Sequence, residues 1–347
     1  MTSFKKQQNP KYYQPSGLNS SFDFSGRDFE EYIDFNRKKI RLARLDLQTD
    51  YPEIIVEANA PFAWLPKENN RGKKRGVLLV HGLFDSPFSL RDLGHVFYNQ
   101  DFLVHAVLLP GHGTVPGDLL AIQRQSWQEA MAFGVETLKQ QVDELYLCGF
   151  STGGLLCLDY HLRHPDVALK GIIALAPALK IKFLMTPLLP ILSRTLPWLR
   201  KRTEDNYTKY RSISLHASAE TYRLGIEVQR RIRLQNDLQT KLFMAFSESD
   251  YVVSAEASQN FFTRYASPDS HCLIFKSNAT EKKDSRIRYL EDTFPDHPPY
   301  ILKHNGLPFS PENTHYGLHA DYKKEDRGEL LYNPGFAELA RAIVDFL

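Results

Sequence analysis

Residues Glu144 to Gly154 read ELYLCGFSTGG, and the fold turns on them. Leu145-Tyr146-Leu147 is a short apolar run of strand character, Gly149-Phe150-Ser151-Thr152-Gly153 follows as G-x-S-x-G, and Leu155 to Leu162 has the spacing of a helix. A strand that becomes a helix at a single serine forces that serine into a strained backbone conformation. Flanking glycines remove the side chains that would collide there. The Ser151 hydroxyl then projects from the sheet at a helix N-terminus, where backbone N–H groups meet developing negative charge. So placed, Ser151 reads as a nucleophile; the plainer alternative is a serine that only caps the helix.

Upstream, Val77-Leu78-Leu79-Val80 is a continuous apolar run, as expected of a strand buried on both faces of a parallel sheet. Phe102 to Leu109, Gly171 to Ala176, Lys241 to Ser247 and His271 to Phe275 read as further strands. Helices are expected near Ser89–Tyr98, Ser126–Gln140, Ser254–Tyr265 and Pro334–Phe346. This alternation predicts an α/β fold with a mostly parallel central sheet, right-handed crossovers and helices on both faces. Functional residues then gather at the carboxyl ends of the strands, where His81, Pro110, Ser151 and Pro177 all stand.

Residues 1–25 are polar and rich in Ser, Asn, Gln and Pro, and read as an ill-ordered arm. Arg27 to Arg44 has helical character, with Phe29, Ile33, Ile40 and Leu42 available to pack on the body, and Glu53 to Leu65 reads as strand, turn and strand. The core is expected over 26–177 and 237–347. Between them, 178–236 breaks the pattern: Ile181 to Pro190 is apolar and interrupted by prolines, Trp198 and the basic Arg200-Lys201-Arg202 follow, and a long helix is expected over Ser218–Gln235. We read it as a cap, or lid, inserted over the strand ends, whose apolar face shapes a pocket. A docking hairpin or a membrane-surface patch fits the same residues.

The 347 residues are 42% hydrophobic and 12% aromatic, enough for a sizeable core. With 43 Lys and Arg against 41 Asp and Glu, the net charge of +2 carries no nucleic-acid footprint. No apolar run reaches the roughly 18 residues of a membrane span, and the N-terminus shows no signal-peptide pattern. Cys148, Cys157 and Cys272 lie in apolar patterns and read as buried free thiols in a reducing, cytoplasmic setting, with no metal or cofactor expected.

A serine hydroxyl is a weak nucleophile at neutral pH, so Ser151 needs a base and the base an orienting acid. In this architecture the chain order is serine, acid, histidine. No carboxylate follows the strand ending at Ala176, so Asp250, just past the next strand, is the candidate acid, with Glu248 the alternative and helix capping the plainer role. For the base, His271 opens its strand and stands at the wrong end of the sheet. After a polar excursion, Ala279 to Pro299, His304 closes a short apolar run and is the candidate, with His315 its competitor and His297 and His319 behind them. The backbone N–H groups of Thr152 and Leu83 are the candidate oxyanion donors.

HGLFDSP, LLPGHGTVPGDL, GFSTGG and SESDYVVS together resemble the α/β-hydrolase superfamily, most closely the branch of monoacylglycerol lipases and small carboxylesterases with a cap. The resemblance covers 75–180 and 240–255 well and the last hundred residues loosely; PGHG-x-x-P-x-D-L is its most discriminating motif. It implies Ser151 as nucleophile, Asp250 as acid, Leu83 and Thr152 as oxyanion donors, and the first histidine of LKHNGLPFSPENTHYG, His304, as base. The expected activity is hydrolysis of a small-molecule ester with an apolar part, the apolar cap favouring an acyl or aryl ester over a strongly charged one. Thioester or aminopeptide hydrolysis uses the same triad, and a non-catalytic ligand-binding protein is the alternative of another class.

Overall fold

The computed structural model describes residues 9–19, 22–67, 72–165, 167, 169–182, 186–277, 284–292, 301–320, 325–326 and 329–347. In chain order the α-helices are α1 (Phe29–Ala43), α2 (Pro52–Asn59), α3 (Arg91–Tyr98), α4 (Arg124–Lys139), α5 (Thr152–Arg163), α6 (Leu189–Leu192), α7 (Leu215–Gln235), α8 (Ala255–Tyr265) and α9 (Phe336–Phe346). The strands are β1 (Phe62–Trp64), β2 (Arg75–Val80), β3 (Phe102–Val107), β4 (Glu144–Phe150), β5 (Leu169–Leu175), β6 (Trp198–Arg200), β7 (Ile213–Ser214), β8 (Leu242–Ser247), β9 (His271–Phe275), β10 (Ile287–Leu290), β11 (Ile301–Leu302), β12 (Glu325–Asp326) and β13 (Glu329–Leu330).

Eight strands form one sheet in the order β1-β3-β2-β4-β5-β8-β9-β10, parallel except for β1, which pairs antiparallel with β3. Parallel strands need crossovers, and the helices that supply them cover both faces. Leu78 meets Gly134 of α4 and Leu79 meets Gly94 of α3; successive residues of a strand point to opposite faces, so these helices lie on opposite sides. The side chains of Val77 to Val80 are fully buried, each contributing roughly 1.5–3 kcal/mol through removal of apolar surface from water. That double burial is why β2 reads as an unbroken apolar run.

Four expectations are corrected. Residues 53–59 are helix, not strand: Pro52 stands in the first turn, where its missing N–H costs nothing, and α2 buries Ile55, Val56 and Ala58 beside α1. The β-branched Ile54-Ile55-Val56 run mimics a strand, and only Phe62–Trp64 of that region extends. Leu42 is exposed rather than packed. The described part of the arm is docked: Asn9 caps a short helical turn at Pro10–Tyr13, and Ser16 donates from N and Oγ to the Asp118 carboxylate at 2.7 and 2.9 Å. A Cβ at Gly117 would lie 2.1 Å from Gln14 O, so only glycine lets the arm approach this closely. Finally, the polar excursion after β9 contains a strand, β10, that extends the sheet in parallel.

Residues 1–8, Phe183 to Met185 and His297 fall outside the described residues. Within 178–236, α7 packs on α5 and is tied to α4 by Arg124, which pairs with Glu220 at 3.1 Å and Glu227 at 2.6 Å. Among the described residues no helix is long and apolar enough to cross a membrane.

Candidate active site

Ser151 stands between β4 and α5 at φ +54°, ψ −115°, a conformation L-residues rarely adopt. Its surroundings hold it there: Ser151 N donates to Leu175 O at 2.8 Å, and Ser151 O accepts from Leu155 N and Ala178 N at 3.1 Å each. The glycines on either side are steric requirements, since a Cβ at Gly149 would lie 2.3 Å from Gly153 C and one at Gly153 1.9 Å from Val80 O.

Asp250 lies beyond the carboxyl end of β8, which reaches Ser247. Its Oδ1 accepts from Val252 N at 2.7 Å and Val253 N at 2.9 Å, leaving Oδ2 for His304 Nδ1 at 2.6 Å. His304 Nε2 is 3.1 Å from Ser151 Oγ. A carboxylate only accepts, so Nδ1 carries the proton and the Nε2 lone pair faces the serine hydroxyl. Glu248, the alternative acid, is exposed and pairs with Lys276 at 2.8 Å. His315 is instead set among the rings of Tyr207, Tyr316 and Phe88. His271 is exposed at the start of β9, and His319 is exposed as well.

The loop bearing His304 is pinned at both ends. Ser247 Oγ donates to Leu302 O at 2.8 Å, and buried Asp292 accepts from Ser249 Oγ at 2.8 Å and Ser277 Oγ at 2.5 Å while its carbonyl accepts from Leu302 N at 3.0 Å. Beyond His304, buried Glu329 accepts from Asn305 N at 2.8 Å and Tyr251 Oη at 2.9 Å. Burial raises the Glu329 pKa. This carboxylate escaped the reading of the sequence: β13 is two residues long and shows no pattern around it.

Thr152 is the first residue of α5, so its N–H has no acceptor within the helix. Leu83 lines the same cavity. The neighbouring Phe84 N is already engaged, donating to His112 Nε2 at 3.1 Å. His81 accepts from Leu109 N through Nε2 at 3.0 Å, so its Nδ1 carries the proton and donates to Gly82 O at 2.8 Å. Desolvation lowers the pKa of His81 to about 4 and of His112 to about 3, so both are neutral props of the strand-end loops. The PGHG motif thus serves to hold Phe84, and with it the turn that carries Leu83.

The cavity over Ser151 has a volume of about 610 Å³. Ile181, Leu189, Leu199 and Ile213 from 178–236 supply apolar wall. The apolar face expected there is only part of the lining, because among the described residues five cations, Lys182, Arg200, Arg202, Lys209 and Arg211, share it with a single carboxylate, Asp85.

A family model described as serine aminopeptidase, S33, matches residues 72–278, more than half of the chain. The chain belongs to this family. Over 106 residues it is 34% identical to the thermostable monoacylglycerol lipase of Bacillus sp. strain H-257, a match covering 30% of this chain and 42% of that protein. It is 29% identical over 113 residues to the carboxylesterase of Bacillus subtilis strain 168, covering 32% and 45%. In these matches the chain spans less than half the length of each curated relative. Two solved structures share the α/β-hydrolase fold. One, from work on the metagenome-derived lipolytic enzymes LipS and LipT, has a TM-score of 0.59 at 17% identity and covers 83% of this chain and 96% of its own. The other, the Paleococcus ferrophilus monoacylglycerol lipase, has a TM-score of 0.55 at 20% identity and covers 82% and 96%.

Proposed function

We propose that this S33-family protein is a serine hydrolase of carboxylic esters, of lipase or carboxylesterase type. The observation that carries the reading is the hydrogen-bonded line Asp250–His304–Ser151, at 2.6 and 3.1 Å, in the wall of a cavity. Ser151 Oγ attacks the ester carbonyl while His304 Nε2 takes its proton, and Asp250 stabilises the imidazolium that forms. The Thr152 and Leu83 N–H groups receive the oxyanion, each donor contributing roughly 3–4 kcal/mol in sites of this kind. Collapse breaks the bond to the alcohol, which leaves with the proton from His304. Water then enters, loses a proton to His304 and releases the acid from Ser151.

The relatives named as monoacylglycerol lipase and carboxylesterase favour an ester. Aminopeptidase action, which the family description also names, needs an anion for the substrate's ammonium, whereas Asp85, the one carboxylate of the cavity lining among the described residues, is engaged by Lys209 at 3.4 Å, and five cations share that lining. Residues 178–236 act in this reading as the cap that closes the cavity. The buried free thiols of Cys148, Cys157 and Cys272 favour a reducing, cytoplasmic location.

A fluorophosphonate probe followed by mass spectrometry tests the proposal. Modification of Ser151 in the folded protein, absent after heat denaturation, is the expected result. Folded protein that leaves Ser151 unmodified and turns over no 4-nitrophenyl ester would be a ligand-binding protein instead.

A further inference from the structure

The charge on the cavity wall is local. The chain as a whole carries +2, yet among the described residues five cations and one carboxylate line the space over Ser151. Three of the five are engaged by protein groups. Lys209 pairs with Asp85 at 3.4 Å and stands over the Phe309 ring, 4.8 Å from its centroid. Lys182 Nζ donates to the Asp250 main-chain oxygen at 2.5 Å, and Arg211 pairs with Asp205 at 3.1 Å. Arg200 and Arg202 have no carboxylate within ion-pair distance among the described residues.

Arg202 is the sharper of the two. Its backbone is fixed: N donates to Ser212 Oγ at 2.9 Å, and its carbonyl accepts from Tyr13 Oη at 2.8 Å and Ser212 Oγ at 3.2 Å. Its Nε, by contrast, is buried and has no acceptor among the described residues. A charged donor taken out of water without an acceptor is unfavourable, and native proteins rarely leave one so. Closed to water, that Nε is closed to a ligand too; what Arg202 offers to the cavity it lines is a guanidinium with no carboxylate partner among the described residues, whose planar fork matches the paired oxygens of a carboxylate or phosphate.

We propose that Arg200 and Arg202 form an anion subsite, and that the substrate is an ester carrying a second, anionic group, a carboxylate or phosphate, at the end away from the scissile bond. The inference rests on the ester-hydrolase reading of Ser151. The apolar wall at Leu189, Leu199 and Ile213 receives the aliphatic stretch between the two ends, and the anion reaches the arginines. It departs from the expectation that the cap favours uncharged esters, because Arg200-Lys201-Arg202 reads in the sequence as a surface triplet and only folding turns its first and last members toward the cavity.

Three esters with the same six-carbon acyl chain test it: 4-nitrophenyl hexanoate, the 4-nitrophenyl monoester of adipic acid, and 4-nitrophenyl 6-phosphonooxyhexanoate. At low salt, kcat/KM for one of the anionic esters should exceed that for hexanoate by about tenfold, the size expected of a hydrogen bond to a charged group. Which anionic ester is preferred separates carboxylate from phosphate. The preference should shrink as salt is raised. Arg202→Gln should reduce the anionic-to-neutral ratio about tenfold and Arg202→Lys should restore part of it; Arg200→Gln, at an exposed position, provides a variant whose folding is not in question. Hexanoate turned over as well as both anionic esters, or a ratio that neither glutamine substitution moves, overturns the anion subsite alone. Turnover of none of the three, with Ser151 unlabelled, overturns the ester-hydrolase reading and the subsite with it.

Discussion

At φ +54° the Ser151 backbone costs about 1–3 kcal/mol, and the three backbone hydrogen bonds and two flanking glycines that enforce it leave the side chain free to change. Ser151→Ala should therefore fold normally while losing probe labelling and at least about four orders of magnitude in kcat. His304→Ala should do the same, and His315→Ala, at a residue outside the cavity lining, should stay within a few-fold of the parent; the reverse pattern would reassign the base. Glu329 gives a subtler case. It holds Asn305 N and Tyr251 Oη, one residue past His304. Glu329→Ala should lower kcat/KM by about 10–100-fold, the equivalent of one or two lost hydrogen bonds to a charged group, and Glu329→Gln, which keeps an acceptor for Asn305 N, should recover most of it. Identical losses in the two variants would assign Glu329 a purely electrostatic role. That Ser151, Asp250 and His304 meet was legible because each follows the end of an apolar run, and parallel strands bring such ends together. Glu329 and Arg202 were not: a carboxylate in a two-residue strand and an arginine in a basic triplet look like solvated charge until the chain closes over them.

At the scale of elements, what was readable tracked how completely an element is buried. β2, β4, β5 and β8 lie inside the sheet and their sequences are continuous apolar runs. The errors fell at the periphery, where a β-branched run became α2 because Pro52 and the face of α1 favoured a helix. The arm misled for a different reason. Its polar composition is that of a disordered tail, but its hydrogen bonds are to specific partners, Asp118 and the Arg202 carbonyl, that no composition reveals. Gly117 is the contact on which this docking depends. Gly117→Ala sets a Cβ 2.1 Å from Gln14 O, and the arm must leave or the loop must shift. Either costs about 1–3 kcal/mol. Limited proteolysis should then cut the variant within residues 9–19 where the parent resists, with the sheet core intact. Equal resistance would show that the loop yields instead of the arm.

Over the whole molecule, the neutral buried histidines set how the protein responds to acid. Desolvation lowers the pKa of His81 and His105 to about 4 and that of His112 to about 3, from an ordinary value of 6.5. The unfolded chain takes up protons at these positions as pH drops below 6.5, and the folded chain does not until near pH 4. Stability contributed by their neutral form is thus complete above pH 6.5 and is lost as pH falls through that window, at about 1.4 kcal/mol per pH unit for each histidine. Half-buried Asp92 and buried Asp159, whose pKa values are raised by desolvation, act in the opposite sense, since the folded chain binds their protons first. The net slope mixes the two, so a single site must be isolated. His105 is the cleanest: desolvation is the sole cause of its shift, and it stacks on Phe29 at 4.0 Å, away from Ser151, with Nδ1 buried and unpartnered among the described residues. Urea unfolding of the parent and of His105→Gln at pH 7 and pH 5 separates the contributions. The variant should lose roughly 2 kcal/mol less than the parent between the two, because the unfolded parent alone gains the extra proton. Equal losses at matched m-values would mean that His105 is protonated in the folded protein at pH 5, and that its burial against Phe29 does not exclude charge.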